Sequence, residues 1–501
     1  MNTSFQHFRV AIIGTGFSGL GMAIKLKQAG QNDFIILERS ENVGGTWHDN
    51  TYPGCACDIP SHLYSFSFAL KPDWSRVFSA QPEIWAYLRH CVEHYGLIPH
   101  IRWRCSLQAA VWDEATEQWH ITTPQGLITA QFLILGNGPL SEPTLPNIPG
   151  LADFQGTLFH SAQWNHSHNL TGERIAVIGT GASAIQFVPK IQPKAGQILL
   201  FQRTPPWIFP RFDHPIPAWQ RTLYRWFPPA QRLVRAQMYW LREFRAIGLL
   251  HYQAERSRKI EQLALKYLEH QVSDPTLRAK LTPNYALGCK RILLSDDFYP
   301  AVAQPNVQLV TEKIQEIRPH SIVSDDGTEH QVDTIICGTG FRASDAPVGY
   351  LVRGRNGQLL ADAWRDTPQA YLGSTVAGYP NMFLMIGPNT GLGHNSMVHM
   401  IESQITYILD ALRTMQRQQV QTIEVRPAIQ AKYNEQVQKR LQGTVWNSGC
   451  KSWYLNKQGR NTTLWPGFTF SFRLLTRRFN PTVYSLTPQK AQKVTVGTGA
   501  P

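Results

Sequence analysis

Two copies of one pattern, an apolar strand running into a glycine-rich turn that opens a helix, constrain this chain more than any other feature. The first copy begins Arg9-Val-Ala-Ile-Ile13, continues Gly14-x-Gly16-x-x-Gly19 and enters a helix reaching about Gln28. A strand from Phe34 to Leu37 follows and ends at Glu38. The pattern recurs from Arg174 to Ile178, through Gly179-x-Gly181-x-x-Ala184 and a helix, to a strand from Gln197 to Gln202. Each copy is the βαβ unit of a parallel, helix-covered sheet, so the chain is expected to be α/β with two Rossmann-like modules.

Each glycine in the pattern has a physical task. Gly14 makes the tight turn, Gly16 lets a pyrophosphate approach the backbone, and Gly19 lets helix pack on strand. The helix N-terminus supplies positive partial charge to that pyrophosphate. Phe17 and Ser18 complete the first turn, as Thr180, Ala182 and Ser183 complete the second around Gly179 and Gly181. Glu38 lies nineteen residues after Gly19, where an acid accepts ribose hydroxyls. Nineteen residues after Ala184 stands Arg203, followed by Thr204. A carboxylate there would repel a 2′-phosphate, whereas a guanidinium forks onto it. The first module therefore suits FAD or NAD and the second NADPH. Together they suggest a flavoprotein fed by NADPH.

At 501 residues the chain has room for two or three domains. Its net charge of +13 suits anionic small molecules or a solvated basic helix face, since no zinc-finger spacing, RNA-binding aromatic motif or basic tail points to nucleic acid. No apolar run approaches the ~20 residues of a transmembrane helix, and the polar N-terminus does not resemble a signal peptide. Seven cysteines, an odd number without paired spacing, fit a reducing compartment. The expectation is a cytoplasmic protein.

Further segments carry a family likeness. Gly44-Gly45-Thr46-Trp47 leads to Tyr52-Pro53-Gly54-Cys55-Ala-Cys57-Asp58, and later come Phe154-x-Gly156-x-x-x-His160-x-x-x-Trp164-Asn165. Both resemble the fingerprints of class B flavoprotein monooxygenases, specifically the Baeyer–Villiger monooxygenases typified by phenylacetone and cyclohexanone monooxygenase. The likeness extends through Phe201-Gln-Arg203-Thr204, Cys289-Lys290-Arg291, Cys337-Gly-Thr-Gly340-Phe341 and Ser452-Trp453-Tyr454. It implies FAD and NADPH as cofactors, dioxygen and a ketone as substrates, and an ester or lactone as product, made through a flavin peroxide. Asn165 stands where relatives usually carry Pro or Asp. The segment Gly387 to Met397, expected near the flavin ring, differs from the corresponding loop of phenylacetone-type enzymes. Their substrate preferences are therefore not carried over.

The resemblance assigns roles that each have a plainer alternative. Arg291 would stabilise negative charge on oxygen; a surface salt bridge is the alternative. Lys290 would join Arg203 and Thr204 on the 2′-phosphate, against a solvated lysine. Asp58 would orient Arg291 beside the flavin, against a turn residue after Pro53-Gly54. Gly45, Thr46, Trp47, Tyr64 and Met397 would line the flavin region, although such aromatics also serve as core. Trp453 would reach the nicotinamide ribose from a loop around Gly443 to Gly459, against ordinary packing. His160 and Trp164 read as a hinge rather than a catalytic pair. Cys55 and Cys57 invite comparison with disulfide reductases, but a C-x-C pair is awkward for a disulfide, and no His or Cys cluster completes a metal site.

The expected division is a flavin module of residues 1–140 and 375–486, an NADP module of 150–210 and 300–345, a helical insert of 211–295, and a disordered tail of 487–501. In the insert, Leu233, Ala236, Trp240, Phe244 and Ile247 recur at helical spacing and are expected to pack on the NADP module. A second reading sets this stripe and its arginines against anionic lipid. Two other functions stay open here: oxidation of sulfur or nitrogen nucleophiles by a related flavin monooxygenase, and redox sensing without turnover.

Overall fold

The computed structural model describes residues 6–342, 347–365, 367–450 and 452–489. Two parallel-cored sheets organise it. In the first, strands lie in the order Val352–Arg353, Ala109–Asp113, Gln118–Thr123, Gly126–Leu135, Gln6–Ile13, Phe34–Leu37 and Ile101–Arg102, with Met382–Leu384 also pairing Gly126–Leu135. The second runs Val307–Val310, Gln197–Phe201, Arg174–Ile178, Thr334–Cys337 and Thr157–His160, every pair parallel. Central strands such as Phe34–Leu37 are buried at every position, which is why they read as unbroken apolar runs rather than alternating ones.

Six helices matter to the site: α1 (Phe17–Gln28), α2 (Ala184–Ile191), α3 (Ala218–Trp226), α4 (Pro228–Arg245), α5 (Met397–Gln418) and α6 (Thr469–Leu475). Helices α1 and α2 follow the two glycine turns directly, as the βαβ pattern requires. A Cβ on Gly19 would sit 1.9 Å from the Gly14 carbonyl oxygen, so only glycine allows this approach of helix to turn. Helices α3 and α4 belong to the insert, whose flanks meet in a short parallel pair, Ile208–Phe209 with Leu293–Leu294.

Three expectations need correction. The apolar stripe of α4 and of Ile247 just beyond it does not face the second module: Leu233, Trp240, Phe244 and Ile247 are exposed, while Gln231, Arg235 and Glu243 are buried. Periodicity identifies residues that share a face but not the direction in which that face points. The cysteines are not all unpaired: Cys289 and Cys450 form a disulfide across 161 residues, with Cα atoms 6.3 Å apart. Finally, Thr487 and Pro488, assigned to the tail, close a strand, Tyr484–Pro488, that pairs antiparallel with Val420–Val425. The tail from Lys490 onward lies outside the described residues.

Candidate active site

The two glycine turns differ in charge. Helix α1 starts at Gly16 with no side-chain cap and no acid in its first turn. Its free backbone N–H groups and dipole are thus directed at whatever occupies the turn. Phe17 turns its ring inward, 5.1 Å from both Tyr64 and Phe66, and Ser18 is buried, so these two offer backbone rather than side chain. Gly45 backs onto Gly16. At the end of the neighbouring strand Glu38 is buried, and it accepts from the Thr15 N–H at 2.9 Å and the Ser40 N–H at 2.8 Å. A held carboxylate beside an uncapped helix start fits a pyrophosphate with an unphosphorylated ribose.

The second turn is cationic. Helix α2 starts at Ser183, again with no side-chain cap. Thr180 donates to the Thr204 carbonyl at 3.5 Å, tying the turn to the strand end that carries Arg203. Burial and the neighbouring Arg203 charge push the Lys290 ammonium below its usual range. The Lys290 amine also lies over the Tyr285 ring, 4.6 Å from its centroid. Two neighbouring cations, neither in an ion pair among the described residues, fit a bound phosphate.

Residues 52–58 connect the modules. Gln186 on α2 accepts from the Tyr52 hydroxyl at 3.0 Å and donates to the Ala56 carbonyl at 3.0 Å. Gly54, with φ of +81°, approaches so closely that a Cβ would meet the Gln186 carbonyl at 2.6 Å. Trp164 packs at 5.1 Å on Phe159 and 5.3 Å on Phe187, and Phe187 also meets Tyr52. His160 caps the following turn through Nδ1, and burial lowers its pKa, which favours a neutral ring.

This junction delivers Asp58 to Arg291. Arg291 donates to Asp58 Oδ2 from Nε at 3.1 Å and from Nη2 at 2.5 Å. Burial alone would raise the Asp58 pKa, but Arg291 outweighs it and the carboxyl is held below its usual range. Asp58 in turn raises the Arg291 pKa further, against the cost of burial. Both groups therefore stay charged. Trp47 donates from Nε1 to the Tyr64 hydroxyl at 3.1 Å, which fixes the aromatic wall behind them. Cys55 and Cys57 are free, buried thiols; burial pushes Cys55 up to about 12 and Cys57 higher. They lack the thiolate character that redox exchange needs.

Met397 opens α5 after the Ser396 cap, with its side chain partly buried. Trp453 is 46% exposed with its ring 4.6 Å from that of Tyr454, so it is not an ordinary core tryptophan. Three contributors were missed. Arg211 donates to the Cys57 carbonyl at 2.9 Å, Gln186 bridges the modules, and Arg242 on α4 is close enough for its charge to act on Asp58. Arg242 shares the inward side of α4 with Gln231 and Arg235, a polar periodicity that was legible beside the apolar one.

The model of the flavin-binding monooxygenase-like family matches residues 7–347. A Baeyer–Villiger monooxygenase of Pseudomonas aeruginosa is 50% identical over 485 residues, covering 96% of this chain and 92% of the relative. A Baeyer–Villiger monooxygenase of Streptomyces coelicolor is 48% identical, covering 97% and 94%. The chain belongs to the Baeyer–Villiger monooxygenases. Among solved structures, OTEMO in complex with FAD and NADP superposes with a TM-score of 0.85 at 27% identity, covering 96% of this chain and 99% of that one. A Baeyer–Villiger monooxygenase works with FAD and NADP, and in this one the Asp58–Arg291 pair joins the segment after the first glycine turn to the end of the insert.

Proposed function

We propose that this chain uses FAD, NADPH and dioxygen to insert one oxygen atom beside the carbonyl of an aliphatic or cyclic ketone, giving an ester or lactone, with Arg291 as the charge-stabilising group. The observation that carries the reading is the Asp58–Arg291 pair, held next to the Lys290–Arg203 cation pair by consecutive residues of one segment.

FAD, reduced by NADPH, would supply the activation of dioxygen. The chain's own residues hold and orient. Gly14, Gly16, Phe17, Ser18 and Gly19 would present backbone to the flavin nucleotide's pyrophosphate, and Glu38 would accept from its ribose. Gly45, Thr46, Trp47, Tyr64 and Met397 would border the ring. Gly179, Thr180, Gly181, Ala182 and Ser183 would hold the second pyrophosphate, with Arg203, Thr204 and Lys290 for the 2′-phosphate and Trp453 for the nicotinamide end. Arg291 would stabilise the negative charge that develops on oxygen when the ketone carbonyl is attacked. A guanidinium suits that position because it cannot give up its proton, and Asp58 fixes its orientation before the charge appears. Trp164, wedged against α2, is read as the joint through which movement of the NADP module reaches Asp58.

NADPH consumption coupled to ester formation from a simple cyclic ketone tests the reading; NADPH oxidation yielding only reduced dioxygen would overturn it. Among the described residues no helix is long and apolar enough to cross a membrane. We read the enzyme as cytoplasmic, where Cys289 and Cys450 would stand as two thiols; alkylation of both thiols in intact cells by a membrane-permeant reagent tests that.

A further inference from the structure

We propose that the outward face of α3, α4 and α6 docks on the surface of an anionic lipid bilayer. The polarity of α4 is reversed relative to that of a helix covering a core. Its buried side is polar: Gln231 donates to His62 Nδ1, Arg235 to the His62 carbonyl, and Glu243 accepts from Asn395 and Thr469. Its solvent side is apolar, with Leu233 71% and Phe244 66% exposed beside Trp240 and Leu241. Helix α3, just before α4 in the chain, also exposes Trp219 and Trp226, the latter 81% exposed, and Phe227 follows it. On α6, Leu474 is 65% exposed. The faces of α4 and α6 are continuous: the Trp240 ring lies 5.9 Å from that of Phe470, and an open cleft of about 640 Å³ between α4, α5 and α6 is bordered by Trp240, Phe470, Leu474, Arg473 and Arg477. An apolar surface of this extent marks an interaction site.

Charge selects the occupant. From Ala218 to Arg245 the one acidic residue is Glu243, which is buried, and Thr469 to Arg478 contains none. Arg232, Arg245, Arg473, Arg477 and Arg478 are exposed and form no ion pair among the described residues. A second copy of the chain would set these arginines against one another, because an isologous contact opposes the same patch to itself. Phospholipid meets both demands: headgroup phosphates take the arginines, and tryptophan, phenylalanine and leucine enter the headgroup–acyl boundary. The contact is superficial, since no described helix crosses a bilayer. It also stands independently of the ketone reading, because docking uses the side of α4 opposite to Arg242.

The test is sedimentation of the FAD-loaded enzyme with phosphatidylcholine vesicles, with and without phosphatidylglycerol, at low and high salt. The account predicts binding to the anionic vesicles only, weakened several-fold by salt and by Arg473→Glu, with a blue shift of tryptophan emission. The Trp226→Ser/Leu233→Ser double variant should lose most of the binding and the shift while keeping wild-type turnover of a water-soluble ketone. No binding to anionic vesicles at low salt would overturn the proposal. So would undiminished binding of the double variant, which would mean adsorption by net charge alone. A concentration-dependent dimer, seen by ultracentrifugation without lipid and abolished in the double variant, would assign the surface to a second copy instead.

Discussion

Arg291 and Asp58 lie 233 positions apart in the sequence, and the guanidinium donates from two nitrogens to one carboxylate oxygen. One residue comes from the end of the helical insert and the other from the turn after Pro53-Gly54. Their pairing ties the end of the insert to the first module, and it leaves the second Asp58 oxygen outside the pair.

Arg291→Ala should lower ester formation by about 10²–10³-fold, the usual cost of removing one preorganised donor from developing oxygen charge. Flavin content and NADPH oxidation should persist. Arg291→Lys keeps the charge but loses the fork, and should recover little. Asp58→Asn should fall between wild type and Arg291→Ala, because it misorients Arg291 without removing it. Steady-state ester formation beside NADPH loss separates these outcomes.

Arg203→Ala should raise the KM for NADPH by about 10–100-fold, the scale of one charge-assisted hydrogen bond, and barely change that for NADH. Lys290→Ala should act in the same direction. Parallel KM measurements with both cofactors decide this; equal effects would remove the 2′-phosphate assignment.

The Asp58–Arg291 pair should contribute no limb to the pH–rate profile between about 5 and 9. Asp58 is depressed below the ordinary carboxylate range, so it loses its charge only in stronger acid, and Arg291 is raised. A limb in that interval that disappears in Asp58→Asn would contradict the assignment.

Stability should fall as pH drops from about 7 to 5. Burial, with Arg235 nearby, lowers the pKa of His62 to about 4, and burial lowers that of His399 to about 3. The unfolded chain takes up those protons near pH ~6.5, so over that interval it binds more protons than the fold does, and acid favours unfolding. Each histidine should account for roughly 2 kcal/mol by pH ~5. Denaturant midpoints across this range measure the slope, and His62→Gln should flatten it.

Reducing Cys289–Cys450 should lower the melting temperature by several degrees, because the bond closes a loop spanning 161 residues. Cys450 lies just before the segment that carries Trp453, so the reduced enzyme should also show faster hydrogen exchange in residues 452–459. Calorimetry and exchange with and without dithiothreitol check both.

Local chemistry was legible in the sequence; direction and long-range pairing were not. The glycine turns, Glu38 and Arg203 could be placed because a strand, a turn and a helix start are set by neighbours in the chain. The Leu233–Trp240–Phe244 stripe was recognised as one face, yet it points to solvent, because its inward rival is polar and is satisfied by His62, Asn395 and Thr469 from distant segments. The Cys289–Cys450 bond was illegible for the same reason: nothing local to either cysteine names a partner 161 residues away.

The most direct test of the central claim is turnover of a cyclic ketone under ¹⁸O2, with NADPH and the FAD-loaded enzyme. The account predicts one ¹⁸O atom in the lactone ring oxygen, none exchanged into the carbonyl, and loss of this product in Arg291→Ala while NADPH oxidation continues. Unlabelled lactone, or a labelled lactone formed equally well by Arg291→Ala, would contradict it.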